Sequence, residues 1–227
     1  MKHYLTMAFA ILIAVATGSA RADTVTDWNL TAIEVMKVAR VAGNPWSRTL
    51  AMMHVSMSDA INAVQGRYTR YIATVPDEPG ASAEAAASAA ARQMLVQLYP
   101  NQKSIIEEAY AASVKVIPEG SAKAQGVALG EQVAAAIQAD RATDGTNVPD
   151  VYRPLTTPGV WVPTTPPLFA QYARAKPWVL KSADQFRPGP PPQLSSTLYA
   201  RDYNETKSPQ HRANAGAKRG SEILDAS

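Results

Sequence analysis

The chain has 227 residues, no cysteine and a formal net charge of +3, two units of which come from Lys2 and Arg21 near the N-terminus. A remainder this close to neutral, with no basic stripe interleaved with aromatics, argues against a nucleic-acid partner. The lack of thiols excludes disulfides, thiolate metal sites and a cysteine nucleophile.

Residues 1–22 predict a signal peptide. Lys2 and His3 give a positive start, residues 5–16 are an almost unbroken apolar run, and Ala20-Arg21-Ala22 supplies the small-x-small cleavage pattern, so the mature chain is expected to begin at Asp23. About a dozen apolar residues fall short of the roughly 20 that span a bilayer. A periplasmic or secreted protein follows, with no membrane association after cleavage.

Residues 23–143 predict an all-α domain, a bundle of about five helices. The first helix is expected from Thr24 or Thr26 as N-cap to about Val41, with Trp28, Ile33, Val35 and Met36 as its apolar stripe and Gly43 as its end. Asn44-Pro45 predicts the next start, since Asn caps and Pro suits the first helical position. This second helix runs to about Gln65 and repeats Trp46, Leu50, Met53, Met57, Ile61 and Val64 on one side, with Met52 and Val55 on the other. A helix apolar on two sides is expected at the centre of a bundle. After the turn Asp77-Glu78-Pro79-Gly80, an alanine-rich third helix covers 83–98 and is closed by Pro100. A fourth covers 104–116 and is stopped by Pro118, and a fifth covers 121–141. Gly126 and Gly130, four apart on the fifth, predict the close approach of a neighbouring helix.

From Asp144 the pattern breaks. Eleven of the 17 prolines lie between Pro149 and Pro192, interleaved with Trp161, Phe169, Tyr172, Trp178 and Phe186. Proline fixes its own φ and biases the preceding residue towards extended backbone, which excludes one long helix, and the aromatics exclude an ordinary disordered linker. The expectation for 144–207 is an extended proline-rich strap packed on the bundle, with a short helix near 169–175. A polar, disordered tail is expected at 208–227.

Several blocks occur in order: Trp28-Asn29; Met53-His54-Val55-Ser56-Met57-Ser58-Asp59-Ala60-Ile61-Asn62-Ala63; Asp144-Gly145; Pro158-Gly159-Val160-Trp161-Val162-Pro163-Thr164; Lys176-Pro177-Trp178-Val179-Leu180; Gln185-Phe186-Arg187-Pro188-Gly189-Pro190-Pro191-Pro192; and Tyr203-Asn204-Glu205-Thr206-Lys207. Together they resemble the N-terminal half of the exported bacterial vanadium-dependent haloperoxidases, which are related to type 2 phosphatidic acid phosphatases. The resemblance implies an all-helical fold whose later helices bind vanadate, or phosphate in the phosphatases. It implies a Lys-x6-Arg-Pro element, a Pro-Ser-Gly-His element, and a final Arg followed by a His. Paired cations neutralise the tetrahedral oxyanion, hydroxyl and backbone N–H groups hydrogen-bond it, and an apical imidazole serves as ligand or nucleophile.

None of the three elements occurs in this sequence. The nearest approach is Lys181 with Arg187-Pro188, with five residues between them rather than six and with no Ser-Gly-His after them; the plainer role for Arg187 is to anchor the strap on a carboxylate or on backbone carbonyls. His54 is the one histidine of the bundle and borders its apolar stripe, which favours a hydrogen-bonded core histidine over a catalytic one. Asp59 stands about 140° away on the helical wheel and forms no acid–base pair with it. Glu107 and Glu108 read as solvated charges, no cluster has metal-ligand spacing, and Trp161 and Trp178 read as buried ballast ahead of a substrate mouth. The sequence is thus expected to be a truncated family member with unrelated residues after Lys207. It would bind no cofactor itself, the vanadate site of the intact family being absent, and would be inactive alone. The alternative is an exported helical binding or oligomerisation module whose partner is another protein or a second copy of itself.

Overall fold

The computed structural model describes residues 23–72 and 74–208. The signal peptide expected at 1–22 lies outside the described residues, as does the expected tail beyond Ser208. Regular structure among the described residues is helical throughout, and the chain divides into two compact units, Met1–Asn147 and Val148–Ser227.

In the first unit, α1 spans Thr24–Val38. Its cap is Asp23, one residue ahead of the expected threonines: the carboxylate accepts the Thr26 N–H at 2.8 Å, and Asp27 in the first turn adds negative charge where the helix dipole favours it. The helix stops short of Val41, because Arg40 turns into the left-handed region at φ 53°. Trp28, Ala32, Val35 and Met36 form its buried face. Helix α2 spans Asn44–Gln65. Gly43 occupies the capping position in place of Asn44, which lies inside the helix, and Gly66 at φ 63° closes it with its N–H on the Asn62 carbonyl, 2.7 Å away. Helices α3 (Ala83–Leu98), α4 (Lys103–Lys115) and α5 (Ser121–Arg141) follow. The Ser82 hydroxyl starts α3 by accepting the Ala85 N–H.

The most enclosed helix is α3, not the expected α2. Every residue from Ala85 to Ala91 is buried, and α3 packs against α1, α2, α4 and α5. On α2 the buried positions are Thr49, Met52, Met53, Ser56, Met57, Asp59, Ala60, Asn62 and Ala63, whereas Trp46, Leu50, Ile61 and Val64 are half-buried. Side-chain size explains the difference. Alanine carries a weak hydrophobic signal but lets neighbouring backbones come close enough for dense dispersion contact. Gly126 and Gly130 provide that approach from α5: a Cβ on Gly126 would stand 2.5 Å from the Ser82 carbonyl oxygen, and one on Gly130 would overlap the Ala86 carbonyl and lie 2.8 Å from the Ala90 nitrogen. The one hydroxyl in this alanine run is satisfied across the α3–α4 contact, where Ser88 and Ser113 share a 2.7 Å hydrogen bond.

The boundary between units falls after Asn147 rather than at 143, because Asp144 and Thr146 are buried and hydrogen-bonded in the first unit. Across 148–208 no described residue is buried. Trp161 is 64% and Phe186 77% exposed, so neither acts as the buried ballast expected of this stretch, and Trp178 is half-buried. A 3-10 turn covers Ala170–Arg174, where the short helix is expected. One further helix, α6 (Thr197–Lys207), replaces extended strap: Ser196 accepts the Tyr199 N–H at 3.1 Å, and the last proline before it is Pro192. Since α6 buries no residue, it has no apolar stripe from which to be read.

Candidate functional site

Two of the resembling blocks meet at His54. Its Nε2 lies 3.1 Å from Asn29 Oδ1. An amide oxygen only accepts, so Nε2 carries the proton and Nδ1 holds the lone pair. Burial pushes the imidazole below its ordinary pKa, keeping it neutral. The ring borders a cavity of about 360 Å³ whose wall includes Val25, Met57, Ile61, Ser58 and Tyr68. Among the described residues no carboxylate lines that cavity, and the group that orients the ring is the neutral amide of Asn29.

Asp59 and Asn62 face a different task. The buried Asp59 carboxylate accepts the Tyr71 N–H at 2.8 Å and the Ile72 N–H at 2.6 Å. Asn62 Oδ1 accepts the N–H groups of Arg67 and Tyr68 at 2.8 and 2.7 Å, while its amide nitrogen donates to the Tyr68 carbonyl. These two side chains hold the returning backbone after Gly66 by accepting its N–H groups. Two polar residues on an otherwise apolar face, just ahead of a helix-ending glycine, are the signal that points to this role.

Asp144-Gly145 is also explained by structure. Arg48 Nε reaches Asp144 Oδ2 at 2.7 Å and its Nη2 donates to the Arg141 carbonyl at 3.2 Å, while Asp144 Oδ1 accepts the Thr146 N–H and hydroxyl at 3.0 and 2.6 Å. Burial raises the Asp144 pKa, but the Thr146 hydroxyl, the Arg48 guanidinium and the Thr146 N–H outweigh it and hold the carboxyl below its usual value. Arg141, only 1% exposed, bonds the Tyr71 hydroxyl, approaches Asp140 at 3.3 Å and stacks 5.3 Å from the Tyr71 ring centre. This network ties α2 and α5 to the loop that Asp59 anchors.

Glu107 departs from its expected role as a solvated charge. Arg92 grips it with two bonds of 2.9 and 2.8 Å, reaches Glu131 at 3.3 Å and lies 5.1 Å from the Tyr110 ring centre. The Arg92 hydrogen bonds hold the Glu107 carboxyl below its usual range. Glu108 is exposed.

Lys181 and Arg187 both lie on an exposed turn of the second unit, whereas His54 belongs to the first. The Lys181 N–H donates to Gln185 Oε1 at 2.8 Å and the Arg187 N–H to the Asp184 carbonyl at 2.9 Å. Between the two cations stands Asp184, whose carboxyl is held low by the Ser182 hydroxyl, its own backbone N–H and the Arg187 charge. A carboxylate in that position opposes a multiply charged oxyanion, and the turn is fully solvated, where cation–anion attraction is weak. The vanadate donor set therefore does not fit these residues. Among the described residues no group of three His, Asp or Glu side chains is placed to hold a metal ion, and no helix is long and apolar enough to cross a membrane. No family model, no curated protein and no solved structure matches this chain.

Proposed function

We propose that this chain is the helical N-terminal scaffold of an exported, haloperoxidase-like protein related to the phosphatases, and that it carries no oxyanion chemistry of its own. In this reading vanadate is a cofactor of the intact family and not of these residues. One observation supports it above the rest. The polar members of the resembling blocks in the bundle, apart from the exposed Ser58, are engaged internally: Asn29 with His54, Asp59 and Asn62 with the returning backbone, and Asp144 with Arg48 and Thr146. Residues held this way position helices and loops and are not free to receive a substrate. The experiment is an orthovanadate titration of the purified full chain followed by vanadium NMR, beside an assay of peroxide-dependent bromide oxidation. The expected result is an unbroadened vanadate signal and no turnover. Saturable binding that phosphate displaces would overturn the proposal.

A second reading, an exported helical binding or oligomerisation module, is favoured by the exposed apolar side chains of 148–208, among them Trp161, Leu168, Val179 and Phe186. A cooperative melt together with a defined oligomer in sedimentation supports this module, whereas a chain that only aggregates, with no sharp transition, rules it out.

A further inference from the structure

Two stretches of the chain carry the same five-residue pattern, Asp-aromatic-Asn-x-Thr: Asp27-Trp28-Asn29-Leu30-Thr31 on α1 and Asp202-Tyr203-Asn204-Glu205-Thr206 on α6. Asn-x-Thr is the acceptor signal for oligosaccharide transfer to an asparagine side chain in exported proteins, where it works from accessible surface. A carboxylate two residues ahead gives a cationic enzyme cleft a group to hold. The pattern is the same in both places, so the surroundings of each asparagine decide which one a transferase reaches.

At Asn29 the fold withholds the acceptor. Its Oδ1 lies 3.1 Å from His54 Nε2, and the Thr31 hydroxyl is turned back on the Asp27 carbonyl at 3.0 Å. Both residues are half-buried, and Trp28 and Ala32 on the same helix are fully enclosed. Drawing this turn out therefore means taking α1 from the core.

Asn204 stands in the opposite situation. Residues 201–207 are all exposed, and the Asn204 carboxamide has no hydrogen-bond partner among the described residues. Helix α6 has 11 residues and buries none of them. An isolated helix shorter than about 12–15 residues is marginal in water, so the last turn of α6 opens at little cost. What it gives up is local: the Thr206 hydroxyl shared between the Asp202 and Tyr203 carbonyls at 3.1 and 2.9 Å, the Tyr199–Tyr203 stack, and the Arg201–Asp202 ion pair at 2.9 Å. That pair joins adjacent exposed side chains, a kind that contributes little. Extended backbone sends adjacent side chains to opposite faces, which parts the pair and leaves the Asp202 carboxylate to the enzyme. The same opening frees the Thr206 hydroxyl.

We propose that Asn204 is an acceptor for N-linked oligosaccharide and that folding shields Asn29 from the same reaction. The donor is an oligosaccharide carried on a polyprenyl diphosphate. The Asn204 amide nitrogen forms a bond to the anomeric carbon, the bond from that carbon to the diphosphate oxygen breaks, the lipid diphosphate departs, and the nitrogen gives up one proton. In the cell this assignment rests on the export in the scaffold reading, and on nothing in that reading about vanadate.

The purified full chain, incubated with a bacterial oligosaccharyltransferase and its lipid-linked donor and then mapped by mass spectrometry, tests the acceptor apart from export. Synthetic peptides of sequence 24–33 and 199–208 are run beside it. The expected result is addition to both peptides, and in the folded chain addition at Asn204 with none at Asn29. Asn204→Gln and Thr206→Ala abolish the addition, whereas Thr206→Ser, which keeps the hydroxyl, retains it; an unchanged circular dichroism melt verifies that each variant folds. A folded chain left unmodified at Asn204 overturns the proposal, as does a 199–208 peptide that is not accepted, or equal addition at Asn29 in the folded chain. Export is read separately, as removal of residues 1–22 from the chain made in a bacterium: a chain that keeps them contradicts the exported scaffold, while the result on the purified chain still decides Asn204.

Discussion

The two regions hold similar proportions of large apolar side chains and use them in opposite ways. In 23–147, methionine and alanine are fully enclosed at Met36, Met52, Met53, Met57 and along Ala85–Ala91, and charged groups at Asp59, Arg141 and Asp144 are buried only with partners. In 148–208, large side chains such as Trp161, Val179 and Phe186 stand in solvent, and hydrogen bonding is almost entirely between near neighbours. The difference shows that apolar content alone builds no core. Spacing on a helix does so, because it brings small and large residues to one face, while closely spaced prolines deny the backbone that repeat.

The contrast can be broken most severely at the buried charges. Arg48→Met leaves the Asp144 carboxylate buried without its guanidinium, and is expected to cost about 3 kcal/mol in the denaturant unfolding of the full chain. Gly130→Ala follows, at about 2 kcal/mol, since a Cβ there forces α5 away from the Ala86 and Ala90 backbone and the gain in helix propensity only partly offsets it. A cost near zero would mean that the two helices sit further apart than described.

A smaller effect belongs to His54. Burial lowers its folded-state pKa, so the unfolded chain takes up the proton first as the solution is acidified. Stability is therefore full above the ordinary histidine value of about 6.5. It falls as pH drops through that value, and levels off once the folded state is also protonated. Melts across this window check the sign, and His54→Gln should flatten the slope there. The smallest effect is expected in the second region: Trp161→Ala should change the melt of the dilute chain by less than about 0.5 kcal/mol. A larger loss would show that the aromatic is buried after all.

Much of the bundle is legible in the sequence where punctuation is local. The end of α3 follows from Pro100 and that of α4 from Pro118, and the close packing at Gly126 and Gly130 follows from their spacing. The start of α1 was displaced because two threonines compete with Asp23 as caps, and the stronger acceptor at the earlier position wins. The centrality of α3 was not legible, since alanine's advantage in packing lies in distance and not in hydrophobicity. Asp59 and Asn62 stand out in the sequence as polar residues on an apolar face, but their partners are backbone N–H groups that only the return of the chain after Gly66 brings near. Arg92 and Glu107 are 15 residues apart on different helices, and no local pattern pairs them.

Hydrogen exchange followed by mass spectrometry on the dilute full chain tests the division most directly. Amides of α2, α3 and α5 should exchange slowly and together, as a cooperative unit does, while those of 148–195 exchange at close to the free-peptide rate. Protection across 148–195 that matches the bundle in a solution dilute enough to be monomeric would contradict the division.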